Sequence, residues 1–194
     1  MNVYDFDKTI YRDDSSCDFY WFCLRRHKKI LCRLPAQAAA FVRHYLLHTI
    51  SKTQMKEVFY RYFRDIPDME QELEVFWAAH LHKIEPYYLA QQQPEDVIIS
   101  ASPTFFLQPA CRMLGISSLI ASEVNRVTGE YTGANCHGPE KVKRFRALYP
   151  QGRVERFYSD SLSDSPMASL AEKAYLVTKG KCAPWPQGDN QRVK

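Results

Sequence analysis

Val3-Tyr4-Asp5-Phe6-Asp7-Lys8-Thr9 is a short apolar run that ends in two carboxylates one residue apart. With residues 1–4 as a buried strand, Asp5 and Asp7 stand at its carboxyl end, the edge at which open α/β sheets bind ligands. One carboxylate can attack an electrophile while the other moves protons. Alone, such a pair is common in solvated loops and cation-binding turns. Three later fragments give it meaning. Ser100 follows Val97-Ile98-Ile99, Lys141 closes His137-Gly138-Pro139-Glu140-Lys141, and Asp160 and Asp164 lie in Ser159-Asp160-Ser161-Leu162-Ser163-Asp164.

Hydrophobic periodicity places these fragments in a common frame. After Pro94 short apolar runs alternate with helical patterns, the rhythm of a parallel sheet. Strands are expected at residues 97–100, 118–122, 154–158 and 175–178, and helices at 104–115, capped by Ser102-Pro103, at 140–148 and at 165–173. The Thr-Gly pairs at 128–129 and 132–133 suggest a small β-hairpin over residues 124–136, and residues 181–194 read as a loose tail. Between residues 15 and 93 the spacing is helical throughout. A helix is expected over residues 18–29. Pro35 suits the first turn of a second helix, Ser51-x-x-Gln54 forms a capping box for a third, and Pro67-Asp68 opens a fourth. The expected fold is therefore α/β: a Rossmann-like parallel core from residues 1–14 and 94–194, with a helical cap domain, residues 15–93, inserted.

In that frame three of the fragments end strands on one edge, and Lys141 starts a helix beside them. Carboxylates of Asp5, Asp7, Asp160 and Asp164 gathered there repel; two charges about 4 Å apart cost about 4 kcal/mol at an effective dielectric near 20. Such a cluster calls for cations. Hard oxygen donors without Cys or His favour Mg²⁺, and Lys141 adds a second positive charge.

The four ordered fragments resemble the motifs of the haloacid dehalogenase superfamily, most of whose members are magnesium-dependent phosphatases. The resemblance implies that Asp5 attacks phosphorus to give an aspartyl-phosphate. It implies that Asp7 protonates the leaving group and then activates water. Asp5, the main-chain carbonyl of Asp7 and Asp160 would hold Mg²⁺, with Asp164 helping directly or through a neighbour. Thr9, Ser100, Ala101 and Lys141 would meet the phosphate, and Thr9 would also support the loop. Dehalogenase-type relatives lack an acid/base where Asp7 stands, so a phosphatase is expected. The helical lobe sits where the type-I cap is inserted. The spacing is similar to subfamily IB, the branch with phosphoserine phosphatases and a bacterial phosphatidylglycerophosphate phosphatase. Two departures stand out: Ala101-Ser102 replaces two glycines common in phosphoserine phosphatases, and Ser159 replaces a common Gly. The competing reading on the same fold is a non-catalytic or regulatory binder of phosphate esters.

Composition narrows the rest. Across 194 residues, 45% hydrophobic and 25% charged, six cysteines show no C-x-x-C pair, so reduced thiols and a cytoplasmic setting are expected. The strand begins almost at Met1, and no signal peptide is expected. Residues 30–50 form the most membrane-like stretch, but Arg33, Arg43, His44 and His48 interrupt it, so no span is expected. The net charge of +4 is unevenly placed: ten Lys or Arg between Phe19 and Arg64 face one acid, Glu57. That asymmetry suggests an anionic substrate, or peripheral contact with an anionic membrane at its inner face, against the plainer reading of solvated helix faces. No nucleic-acid partner is expected. Phe59, Tyr62, Phe63, Phe76 and Trp77 read as lobe core rather than a lipid groove, His44 and His48 as surface histidines, and the Cys136-His137 position as a substrate contact.

Overall fold

The computed structural model describes residues 1–186; the end of the expected loose tail, including Gly188, lies outside them. Strand β1 (Asn2–Tyr4) is wholly buried. It pairs in parallel with β2 (Val97–Pro103) through Val3 and Val97, and with β4 (Val154–Ser159) through Tyr4 and Tyr158. Strand β3 (Ser118–Ser122) lies outside β2, β5 (Ala171–Thr178) outside β4, and antiparallel β6 (Lys181–Pro184) closes the edge, giving the order β3-β2-β1-β4-β5-β6. The chain builds outward from β1 on one side and then returns to β4 on the other. Strand order thus reverses beside β1, and the crevice at the carboxyl ends of β1 and β4 is where such sheets take ligands.

Alternation along the strands divides the core. Val3, Val97, Ile99 and Phe157 pack on one face with Phe145 of α7 (Pro139–Leu148), while Tyr4, Ile98 and Tyr158 serve the other. Between β1 and β2 run α1 (Ser15–Arg26), α2 (Leu34–Tyr45), α3 (Lys52–Tyr60), α4 (Met69–His80) and the short α5 (Pro86–Leu89). Their starts follow local chemistry: the Asp14 side chain accepts from Cys17 N, Ser51 and Gln54 form the full capping box, and Asp68 accepts from Gln71 N. Tyr62, Phe63, Phe76 and Trp77 are buried. They belong to the same apolar cluster as Tyr4 and Ile98 of the sheet. Phe106 of α6 (Thr104–Met113) joins the layers, its ring tilted against those of Phe19 and Trp77 and its carbonyl accepting a 2.7 Å bond from the Trp77 indole. The helices therefore sit on a shared core.

Several elements differ from expectation. The segment 124–136 makes a single antiparallel bridge, Val124 to Tyr131, rather than a full hairpin. Its backbone is used elsewhere: Tyr131 N donates to Glu57 at 3.1 Å, and Gly129 lies so close to the Tyr60 backbone that a Cβ would sit 2.6 Å from it. Helix α8 (Ser165–Ala168) ends before residue 173, because Ala171 and Lys173 pair with Val154 and Arg156. Residues 181–184 form β6, not a loose segment. Lys179 (φ 50°) and Gly180 (φ 73°) turn the chain between β5 and β6 with two left-handed residues, the hairpin geometry that matches strand twist. Helix α1 begins at Ser15 because Asp14 caps it.

Candidate functional site

Parallel register sets the site. Tyr4 is opposite Tyr158 and Ile98, so Asp5, just past the end of β1, comes level with Ser159 on one side and close to Ser100 of β2 on the other. Asp5 N donates to Tyr158 O at 2.8 Å, extending the ladder by one bond and holding the carboxylate in place. Opposite, Gly138 (φ 57°) turns the chain into α7, and the third residue of that helix, Lys141, reaches inward. Its side chain is 2% exposed, and Nζ donates to Asp5 Oδ1 at 2.6 Å and to Asp164 Oδ2 at 2.7 Å. Ser159 Oγ also donates to Asp164 Oδ2, at 2.7 Å. Ser159 lies outside the left-handed region, so the residue at the usual Gly position carries no such strain and contributes its hydroxyl instead.

Asp7 is held separately. Beyond it Lys8 adopts φ 57°, and Thr9, Ile10 and Tyr11 all donate main-chain bonds to Phe6 O. This curl returns the start of α1 to the strand end, where Ser15 N donates to Asp7 Oδ1 at 2.7 Å and Ser15 Oγ bonds the same oxygen. Ser102 Oγ donates to Asp7 Oδ2 at 2.6 Å. Ser102 is therefore a support for Asp7, and α6 begins without a side-chain cap.

Asp5, Asp7, Ser100, Ala101, Lys141, Asp160 and Asp164 border one cavity of about 320 Å³. Thr9 does not reach it: Thr9 is fully buried, and its hydroxyl has no hydrogen-bond partner. The helical segment supplies the opposite wall, chiefly Phe41, Tyr45, Met55 and Phe59 with the cations Lys52 and Lys56. Lys56 Nζ donates to Ala101 O at 3.3 Å. Burial lowers its pKa, and Lys52, one helical turn away, adds repulsion. His137 lines the cavity too, its pKa lowered by burial and then by Lys52, whereas its neighbour Cys136 is fully buried. His44 serves structure, its Nδ1 lying 3.0 Å from Ile50 O.

The charge states follow from burial and neighbours. Burial pushes both Asp5 and Asp7 up to about 6; Lys141 opposes this at Asp5, and the serine bonds oppose it at Asp7. Burial also raises Asp160. For Lys141, desolvation is outweighed by Asp5 and Asp164, which hold it firmly protonated. Among the described residues no three His, Cys, Asp or Glu side chains gather as a metal cage. The four carboxylates border one cavity but have separate partners: Asp7 faces Ser15 and Ser102, and Asp164 Oδ2 faces Lys141 and Ser159. Asp5 and Asp160 remain as side-chain donors, and Asp164 Oδ1 is buried without any partner. A hard cation that keeps several waters suits so sparse a donor set.

Comparison with known proteins gives a consistent picture. The family described as haloacid dehalogenase-like hydrolase matches residues 3–169. The protein CicA of Caulobacter vibrioides is 37% identical over 94 residues, 45% of this chain, and the match spans 42% of that protein's length. A histidinol-phosphatase of Neisseria meningitidis is 21% identical over 91% of this chain and 89% of its own. In fold, the chain is similar to a Bordetella pertussis protein of unknown function, with TM-score 0.67 and 20% identity over 90% of this chain and 87% of that one. It is also similar to a probable phosphoserine phosphatase of Vibrio cholerae, with TM-score 0.61 and 16% identity over 89% of this chain and 55% of that one.

Proposed function

Because the chain belongs to the haloacid dehalogenase-like hydrolases, we propose that it is a magnesium-dependent phosphomonoester hydrolase working through an aspartyl-phosphate. The observation that carries this reading is the pairing of two carboxylates in different surroundings: Asp5 is bonded by a buried ammonium, Asp7 by hydroxyls. We assign residues 1–14 and 94–194 to the catalytic core, and residues 15–93 to a type-I cap of subfamily IB.

Asp5 Oδ2, the oxygen that Lys141 does not bond, attacks phosphorus in line, forming the Asp5 O–P bond as the ester P–O bond breaks. Asp7 gives its proton to the departing alkoxide, then takes one from the water that attacks the phosphoenzyme. Its pKa of about 6 suits both directions of transfer near neutrality. Ser100 and Lys141 offset charge on the phosphoryl oxygens. Mg²⁺, held by Asp5, the Asp7 carbonyl and Asp160 with Asp164 in support, would neutralise phosphate charge; the orphaned Asp164 Oδ1 and the hard oxygen donors fit such an ion. Lys52 and Lys56 favour an anionic substrate, and the apolar wall of Phe41, Tyr45 and Phe59 suits a small organic phosphate or a phospholipid head-group phosphate. The test is release of inorganic phosphate from an alkyl phosphate. It should cease on chelation and return with Mg²⁺, and chelator-resistant turnover at the full rate would contradict the assignment.

A further inference from the structure

Helix α2 inverts the usual burial pattern. Across Leu34–Tyr45 its buried residues are Gln37 and Ala40. Gln37 is anchored inward, accepting from Tyr20 OH at 2.7 Å and donating to Phe59 O at 3.0 Å. The large apolar residues face out instead: Leu31, Leu34, Val42, Leu46 and Leu47 are 40–72% exposed. A helix that is apolar on the faces its own protein leaves uncovered calls for another apolar phase. Phe41 and Tyr45 of the same helix line the cavity, so the exposed ridge runs to its mouth.

Charge identifies the occupant. No Asp or Glu occurs between Asp18 and Glu57. Arg26 and Arg33 are paired with Glu72 and Asp65, but Lys28, Lys29, Arg43 and Lys52, all exposed, make no ion pair among the described residues. A second copy of this chain would oppose this basic ridge with itself, since a two-fold contact is self-complementary. An anionic bilayer satisfies both the leucines and the lysines. Among the described residues no helix is long and apolar enough to cross a membrane, so α2 would meet a bilayer from its surface. We propose that α2 and its flanks form an interfacial docking face for an anionic lipid bilayer, which holds the mouth of the cavity against the membrane.

The test is cosedimentation of the intact protein with phosphatidylglycerol–phosphatidylcholine vesicles and with pure phosphatidylcholine vesicles, at low and high salt. Binding is expected to the anionic vesicles only and to weaken with salt. Val42→Ser, Leu46→Ser and Leu47→Ser together should lower the partition coefficient about tenfold or more. Lys28→Gln, Lys29→Gln and Arg43→Gln together should abolish the preference for anionic lipid. Neither set touches the cavity, so both should keep wild-type melting temperature and hydrolysis of a soluble phosphate. Absence of binding at low salt, or undiminished binding by the serine variant, would overturn the proposal. So would a solution dimer, seen by light scattering, that the serine variant dissociates while vesicles bind neither protein.

Discussion

Replacing Ser102 with Ala removes the donor that reaches Asp7 Oδ2 at 2.6 Å, while both Ser15 contacts to Oδ1 remain. A hydrogen bond to a charged group is worth about 1.5–3 kcal/mol. This one favours the ionised carboxylate, so its loss should raise the Asp7 pKa by roughly 1–2 units at about 1.36 kcal/mol per unit. From its starting value of about 6, Asp7 would keep its proton to about pH 7–8. Leaving-group departure needs that proton, so kcat/KM falls as pH rises through the Asp7 pKa, and the variant's alkaline limb should move upward. The assay is the pH profile of kcat/KM for an alkyl phosphate, whose basic leaving group depends on proton transfer more than an aryl oxide does. Ser165→Ala is the control, because that hydroxyl donates to Leu162 O and to no carboxylate. An unmoved limb in a Ser102→Ala protein of native stability would refute the assignment of Ser102 as a positioning residue acting through Asp7.

Two further variants probe the same centre. Asp7→Asn should slow alkyl phosphate hydrolysis by roughly 10²–10⁴ with little change in KM, the range for losing a general acid–base; a near-normal kcat would move the proton role elsewhere. Lys141→Met leaves Asp5 and Asp164 buried without the ammonium they share, and urea unfolding in chelator should show a loss of about 3–5 kcal/mol. A loss below about 1 kcal/mol would contradict the compensating role given to Lys141.

The sheet was legible because its central strands are short apolar runs, β1 and β2 being buried on both faces, and because parallel order brings their ends together. Asp5, Lys141, Asp160 and Asp164 could be placed near one another for that reason, each close to where an element starts or stops, whereas Ser100 lies inside β2, where the pairing register with β3 shifts. Ser102 could have been read as well, since it lies two residues beyond Ser100 and shares its strand face; the pattern of a helix cap concealed it. Ser15 and Lys56 had no such signal. Ser15 reaches Asp7 only because Lys8 takes a left-handed turn, and Lys56 points at Ala101 only through the packing of α3. The β5–β6 hairpin was missed because Lys179-Gly180 is a weaker turn signal than Asn-Gly, and two prolines follow. The direction in which α2 faces was equally hidden: its apolar spacing is that of an ordinary core helix, and the buried Gln37 and Ala40 show which side is inward.

The central claim is that Asp5 carries the phosphoryl group, and acid quench followed by peptide mapping tests it most directly. Protein mixed with a phosphate ester and Mg²⁺ and quenched during turnover should yield one acid-stable, hydroxylamine-labile phosphopeptide, from the N-terminal segment and modified at Asp5. Asp5→Asn should yield none. A phosphoryl group trapped on Asp7, Ser100, His137 or any other residue would contradict the mechanism, as would sustained turnover by Asp5→Asn at the wild-type rate.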